Sequence, residues 1–233
     1  MKNVLVTILL AIILLLSRMA TGQAAPGSLD DQLIIAAQKG DTVAVQQLLQ
    51  QGANIEAKDQ SGSTVLAKAA ISGYSEVMKL LLNKGANINA KDQSGRTALI
   101  EVTRYQYIKA DILKLLIEMK ADLDAYDRDG TTALMFAARQ GNADVVSLLL
   151  NGGSNLEVKD NRGETVLMQS VMSANSVGIV RKLVIAGANV NAKDADGHSV
   201  LWNFEEIFAD PDKPGDVERR RDIAMILKQA GAK

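Results

Sequence analysis

Residues 62–99 read GSTVLAKAAISGYSEVMKLLLNKGANINAKDQSGRTAL, and this stretch decides the fold. Thr64 is a candidate helix N-cap, because its hydroxyl can accept a hydrogen bond from the backbone of the first turn. The apolar residues Leu66, Ala69 and Ala70 follow at positions i, i+3 and i+4, which place them on one helix face. The pattern therefore predicts a short helix with one buried side.

A second helix is predicted after Gly73, which interrupts the first one. Its apolar residues Val77, Leu80 and Leu81 again share one face. Gly85 follows this helix and supplies the left-handed conformation that commonly ends a helix. Residues 86–95 are then extended, with a turn where the sequence reads Asp-Gln-Ser-Gly, and we refer to this segment and its equivalents as fingers.

This unit recurs along the chain at a period of about 33 residues. An aspartate returns at spacings of 33, 35, 33 and 34, at Asp59, Asp92, Asp127, Asp160 and Asp194. Each aspartate is followed by a glycine three residues later, a hydroxyl residue after two more, and a leucine after a further two. Because the aspartate, glycine, hydroxyl residue and leucine recur together at the same period, the sequence predicts an all-α repeat solenoid. In this fold, helix-turn-helix units with β-hairpin-like fingers are stacked.

The strings Gly-x-Thr-x-Leu, Val-x-x-Leu-Leu-x-x-Gly-Ala-Asn and Asn-x-Asn-Ala-Lys-Asp resemble the ankyrin repeat. The resemblance covers about residues 29–233 and implies a domain at 25–233 with about six units. The expected units are 29–59, 60–92, 93–127, 128–160, 161–194 and 195–233. The resemblance also implies a monomeric array whose partner is another protein.

Two departures from the family pattern carry consequences for stability. The histidine that follows Thr-Pro-Leu in the family is replaced by Ala67, Ile100, Met135 and Met168, so packing is expected to replace its hydrogen bonds. Lys120 stands where other units have Gly85, Gly153 or Gly187. A left-handed lysine there is expected to cost on the order of 1 kcal/mol.

Residues 1–24 have the layout of a secretory signal peptide. Lys2 precedes an apolar run from Val4 to Leu16, and small residues follow, so cleavage is expected after Ala24 or, as an alternative, after Gly22. An uncleaved membrane anchor is the other interpretation, but the run is shorter than the roughly 20 residues that span a bilayer. We therefore expect a bacterial protein that is periplasmic or secreted, without stable membrane insertion after cleavage.

Composition excludes several functions. The 26 basic and 27 acidic residues leave a net charge of −1, which gives no footprint for nucleic acid. The chain has no cysteine, and His198 is its only histidine, in a finger tip rather than beside a nucleophile. The closest match to a calcium loop, Asp210 to Arg221, lacks the glutamate needed at its twelfth position. No enzyme activity, catalytic residue, cofactor or metal is therefore expected.

What remains for function is the concave face that finger tips and first helices form in such an array. The tip positions include Ser63 and Thr131, and the last unit adds Trp202, for which a capping role is expected. Interface energy concentrates in arginine and aromatic residues. The predicted partner-binding residues are therefore Arg96, Arg104, Tyr105, Arg128, Arg139 and Arg162.

These features predict a non-catalytic protein–protein interaction module that acts in the periplasm or outside the cell. Two alternatives stay open: an inhibitor or immunity protein that blocks an enzyme, and a secreted effector directed at a host. Activity loss of a target enzyme would favour the first alternative, and detection in culture medium would favour the second.

Overall fold

The computed structural model of the protein describes residues 27–104, 110–173, 176–202 and 217–232. The signal segment, Tyr105 and residues 210–216 of the candidate calcium loop lie outside these ranges. The described helices, in chain order, are α1 Leu29–Lys39, α2 Thr42–Gln50, α3 Val65–Ser72, α4 Ser75–Asn83, α5 Ala98–Arg104, α6 Ala110–Glu118, α7 Ala133–Gln140, α8 Ala143–Asn151, α9 Val166–Ser170, α10 Ser176–Ile185 and α11 Val217–Gln229.

The helices stack in two layers. The first helices of successive units pack on one another in the order α1, α3, α5, α7 and α9, and the second helices do so in the order α2, α4, α6, α8 and α10. The closing helix α11 packs on α10. No strand forms in the described ranges, so the fold class is the all-α repeat solenoid that the period predicts.

The ends of the helices follow the local sequence signals. Thr64 Oγ1 accepts a hydrogen bond from Ala67 N at 3.2 Å, so Thr64 is the N-cap of α3. Gly73 ends this helix in the left-handed conformation, with φ of 79°. Helix α4 ends at Asn83, and Gly85 follows with φ of 91°. The unit predicted from residues 62–99 is therefore confirmed.

The fingers are hairpin-like turns held by their aspartates. Asp59 Oδ1 accepts hydrogen bonds from the backbone N–H groups of Ser61 and Ser63 at 2.9 and 3.0 Å. Asp127, Asp160 and their equivalents repeat this arrangement. Isolated antiparallel bridges close the fingers at Lys58–Thr64, Tyr126–Thr132 and Lys193–Ser199. The spacing of aspartate and glycine in the sequence thus fixes the finger geometry.

The positions that carry histidine in the family are buried, as expected for apolar replacements. Ala67, Ile100, Met135 and Met168 all belong to the core. Packing is not the only substitute for the missing histidine, however. Fingers are also joined by lysine side chains: the Nζ atoms of Lys58, Lys91 and Lys159 donate to a backbone carbonyl of the next finger at 2.9, 2.8 and 2.7 Å.

A second series of bonds joins the units below the fingers. Asn87 N donates to Glu56 Oε1 at 2.6 Å, and Asn189 N donates to Glu157 Oε1 at 2.8 Å. Each bond joins residues that are about one repeat apart in the sequence. A glutamate side chain of one unit therefore accepts a hydrogen bond from a backbone N–H group of the next unit. The expectation that packing alone replaces the histidine bonds is therefore incomplete. Sequence periodicity does not reveal which side chains reach across to a neighbouring unit.

Candidate functional site

A cavity of about 640 Å³ opens on the concave face, where finger tips meet the ends of first helices. It contains five of the six residues predicted to bind a partner, and Tyr105 lies outside the described residues. The lining residues are Ser94, Arg96, Arg104, Asp127, Arg128, Asp129, Thr131, Phe136, Arg139, Asp160, Asn161 and Arg162. The structure thus brings the five predicted arginines together in one cavity.

The repeat itself explains why these arginines meet. Arg128 and Arg162 belong to finger tips, which stack because each tip donates a backbone hydrogen bond to the tip before it. Arg128 N donates to Ser94 O at 2.9 Å, and Asn161 N donates to Asp129 O at 3.0 Å. Arg104 and Arg139 stand near the ends of α5 and α7, which pack side by side. Equivalent positions in neighbouring units therefore form columns along the cavity.

Phe136 forms part of the cavity wall between two guanidinium groups. The guanidinium carbon of Arg139 lies 5.0 Å from the ring centroid, and that of Arg104 lies 5.7 Å from it. These distances suit cation–π attraction, which is stronger where the ring is shielded from water. Sequence reasoning missed Phe136, although aligning the units would have found it: its column otherwise holds Lys68, Glu101 and Gln169.

Arg96 is largely used inside the protein. Its Nε lies 2.9 Å from Glu101 Oε1 and 3.2 Å from Asp92 Oδ2, and its side chain is only 19% exposed. Arg104 reaches the same Glu101 oxygen at 3.2 Å. Burial raises the pKa of Glu101, and the charge of Arg96 opposes that rise. Arg96 therefore supports the cavity wall, with limited capacity to pair with a partner.

Arg162 is more exposed but also has internal partners. Its Nη2 lies 2.7 Å from Glu164 Oε2 and 3.6 Å from Asp160 Oδ2. Burial raises the pKa of Glu164 against the opposing charge of Arg162. Within the described ranges, by contrast, Arg128 and Arg139 form no ion pair. Arg128 and Arg139 can therefore bind a ligand without giving up an internal ion pair.

Two of the tip positions expected at the surface are buried. Ser63 and Thr131 are 5% and 3% exposed. Their backbone N–H groups donate to the finger aspartates Asp59 and Asp127, which turns this column inward. Arg96 occupies the same column, and this explains why it is half-buried. The expectation that Ser63 and Thr131 belong to the exposed concave face was therefore wrong.

The last unit presents an aromatic pair outside the cavity. The rings of His198 and Trp202 are stacked, with their centroids 3.4 Å apart, and Trp202 is 45% exposed. His198 N donates to Asp194 Oδ1 at 2.8 Å, as other tips do. Among the described residues, no three His, Asp or Glu side chains are grouped closely enough to hold a metal ion. No helix within the described ranges has the length and apolar character of a membrane span.

Comparisons with known proteins agree with this architecture. A family model described as ankyrin repeats in three copies matches residues 33–127 and 105–194. The chain belongs to the ankyrin-repeat family. The crystal structure of an ankyrin repeat domain from Acinetobacter baumannii is 31% identical to this chain, with a TM-score of 0.72. The match covers 86% of this chain and 98% of that one. A comparison with curated proteins finds no match.

Ankyrin repeats are generally protein–protein interaction modules, and the fold is typically non-catalytic. The cavity is consistent with that general role, because its walls combine guanidinium groups with an aromatic ring on a rigid stack of helices. Such groups concentrate binding energy at protein interfaces. What this ankyrin array can do chemically is to hold a polar or anionic group in a fixed position.

Proposed function

We propose that the chain is a non-catalytic binding module that acts in the periplasm or outside the cell and holds a partner protein in the cavity of its concave face. The observation that carries this proposal is the convergence of five arginines and Phe136 on one cavity of about 640 Å³. Arg128 and Arg139 are the residues expected to contact the partner most directly. A monomeric array is sufficient for this role, because the cavity is built from one chain.

Capture of the partner from living cells tests the binding proposal. The full-length chain, tagged at its C-terminus, is crosslinked in intact cells, and the copurifying proteins are identified. The matched variants are Arg128→Gln with Arg139→Gln, which alter the cavity, and Arg181→Gln, which alters an exposed arginine of α10. We expect a protein that is enriched with wild type and with Arg181→Gln, and lost with the double variant.

The identity of the captured protein separates the proposed function from its alternatives. An enzyme whose activity falls in proportion to added chain would make the protein an inhibitor. Recovery of the chain from culture medium, bound to a host protein, would make it an effector. Capture that is equal for wild type and the double variant would move the binding site away from the cavity, and the proposal would fail.

Processing of the N-terminus tests the proposed location. We expect the mature protein in the periplasm or medium, with a mass that begins at Ala25 or, for the alternative cleavage, at Gln23. Leu10→Arg places a charge inside the apolar run and should leave an unprocessed chain in the cytoplasm. A wild-type chain that keeps Met1 and stays in the cytoplasm would contradict the proposed location.

A further inference from the structure

Arginine is segregated from lysine on this molecule. Six arginines lie between residues 27 and 202, and five of them line the cavity, whereas no lysine lines it. A general need for positive charge would not favour one residue over the other. Arginine differs from lysine because its planar guanidinium donates two parallel hydrogen bonds to a carboxylate or phosphate. The segregation therefore points to a ligand that carries such groups.

The cavity holds three of these guanidinium groups ready for a ligand. Arg104 and Arg139 flank the Phe136 ring, whose contact with them orders otherwise flexible side chains. Arg128 adds a third group from the adjoining finger tip. Because Arg128 and Arg139 form no ion pair with any described residue, binding an anion there displaces no internal carboxylate. Arg104 can contact the ligand while it keeps its ion pair with Glu101.

The acidic residues of the cavity indicate which anion fits. Asp127, Asp129 and Asp160 line the same cavity as the arginines. A polyphosphate chain places a charge on every repeating unit, so some of its phosphates would face these carboxylates and be repelled. A peptide can place its carboxylates beside the arginines and neutral residues beside the aspartates. The mixture of charges thus favours a peptide over a nucleic acid.

We propose that the cavity binds an acidic segment of the partner protein, with a Glu or Asp carboxylate seated against Arg104, Arg128 and Arg139. This inference rests on the proposed function, to which it adds the chemistry of the partner. The chain as a whole carries a net charge of −1, so the attraction is local to the cavity and is not a consequence of overall charge.

Fluorescence anisotropy with defined peptides tests the inference on the intact protein. The probe is a labelled peptide of alternating glutamate and glycine, and its control has glutamine in place of glutamate. We expect the glutamate peptide alone to bind, with an affinity that falls as salt is added. Arg128→Gln with Arg139→Gln should weaken binding by about tenfold or more. Arg181→Gln should leave the affinity unchanged.

A gain-of-binding variant makes the test independent of damage to the fold. Glu101→Gln removes the carboxylate that Arg96 and Arg104 share, at 2.9 and 3.2 Å. Arg96 keeps its ion pair with Asp92, whereas Arg104 loses its carboxylate partner. Because Arg104 is then freed, we expect the glutamate peptide to bind roughly threefold more tightly. Circular dichroism is used to confirm that each variant is folded. Unchanged or weaker binding by a folded Glu101→Gln chain would count against the inference.

Two further results would overturn the inference. Equal binding of the glutamate and glutamine peptides would show that carboxylates are not recognised. Tighter binding of single-stranded oligothymidylate or a phosphoserine peptide, lost with the same arginine variants, would replace the carboxylate by a phosphate ligand. If a protein is captured through Arg128 and Arg139 but the glutamate peptide neither binds nor competes, only this inference fails. If the peptide binds and no protein is captured, the proposed function fails.

Discussion

Lys120 holds its backbone in the left-handed region, with φ of 63°, at the end of the second helix of its unit. The equivalent residues Gly85, Gly153 and Gly187 have φ of 91°, 92° and 95°. A Cβ built at any of these glycines meets no atom within 4 Å, so the cost at Lys120 lies in the backbone and not in crowding. The sequence alone predicted this conformation, because the period aligns Lys120 with the glycines.

Lys120→Gly is expected to stabilise the protein, because glycine adopts this conformation without the Cβ clash. The gain of about 1 kcal/mol should raise the melting temperature by about 2–4 °C in an array of this size. Lys84→Gly is the matched control: Lys84 has φ of −91°, so glycine there should lower the melting temperature. A lower melting temperature for Lys120→Gly would show that this unit ends differently.

Asp59 gives the first finger a pH-dependent contribution to stability. Burial acts to raise its pKa, but hydrogen bonds from Lys68, Ser61 and Ser63 outweigh burial and lower the pKa from 3.8 to about 2. A carboxylate with a lowered folded pKa stabilises the protein above its unfolded pKa. That contribution is lost as pH falls from about 4 towards 2.

Asp59→Asn should therefore reduce the free energy of unfolding by about 1–2 kcal/mol at pH 7, because the ion pair with Lys68 is lost. Urea denaturation of both proteins at pH 7 and at pH 3 measures the change. The difference between wild type and variant should shrink at the lower pH. A difference that stays constant with pH would mean that the Asp59 charge contributes nothing to stability.

At the scale of the helix, the N-cap threonines share a sequence position but not a structural role. Thr64 Oγ1 accepts a bond from the backbone of α3, whereas Thr165 makes no side-chain cap to α9. Within the described part of the chain, the buried Thr165 Oγ1 has no hydrogen-bond partner. The sequence predicts both threonines to be N-caps. Only the structure shows that Thr64 makes the capping hydrogen bond and Thr165 does not.

Valine at each threonine separates the two roles, since it keeps the shape and removes the hydroxyl. Thr64→Val should cost about 1 kcal/mol of unfolding free energy, because the cap is lost. Thr165→Val should change the unfolding free energy by less than about 0.5 kcal/mol or raise it, because a buried hydroxyl without a partner is removed. Denaturant titration measures both. Equal losses would mean that Thr165 does cap its helix.

The bounds of α3 and the end of α4 were predictable from the sequence to within a residue or two, but the extent of burial was not. The spacing of Leu66, Ala69 and Ala70 predicts one buried face on α3, and all three residues are buried. Val65 and Ala67 are buried as well, because α3 lies between the first helices of the units on either side. The periodicity of apolar residues within one helix predicts a single buried face. In the stacked array, α3 packs against three helices: the first helices of both neighbouring units and the second helix of its own unit.

The same limit applies to the site at the scale of the whole molecule. The repeat register placed the five described arginines in columns on one face, and this could be read from the sequence. The contact of Phe136 with Arg104 joins two units, and the ion pairs of Glu101 depend on side-chain directions. The spacing of residues in the sequence does not show such contacts between units. The sequence therefore could not show which arginines are held by internal ion pairs and which are available to a ligand.

An array of stacked units should also respond differently to damage at its centre and at its end. Leu134 in α7 and Leu33 in α1 are both buried, at 1% and 0% exposure. Replacing either leucine by alanine should cost about 2–5 kcal/mol, because a cavity is left in the core. Each unit contacts only its neighbours, so a weakened central unit separates the stack into two parts.

Leu134→Ala is therefore expected to broaden the urea transition and lower its apparent slope, since the two parts unfold separately. Leu33→Ala removes the same atoms from the end and should leave one sharp transition for the remaining units. The cavity combines Arg104 of α5, Phe136 of α7 and Arg162 of the next finger, so it needs the central units intact. Binding of the glutamate peptide should consequently be lost at lower urea in Leu134→Ala than in Leu33→Ala. Identical transitions and binding midpoints would show that the array unfolds as a single unit, and that the cavity is as stable as the ends.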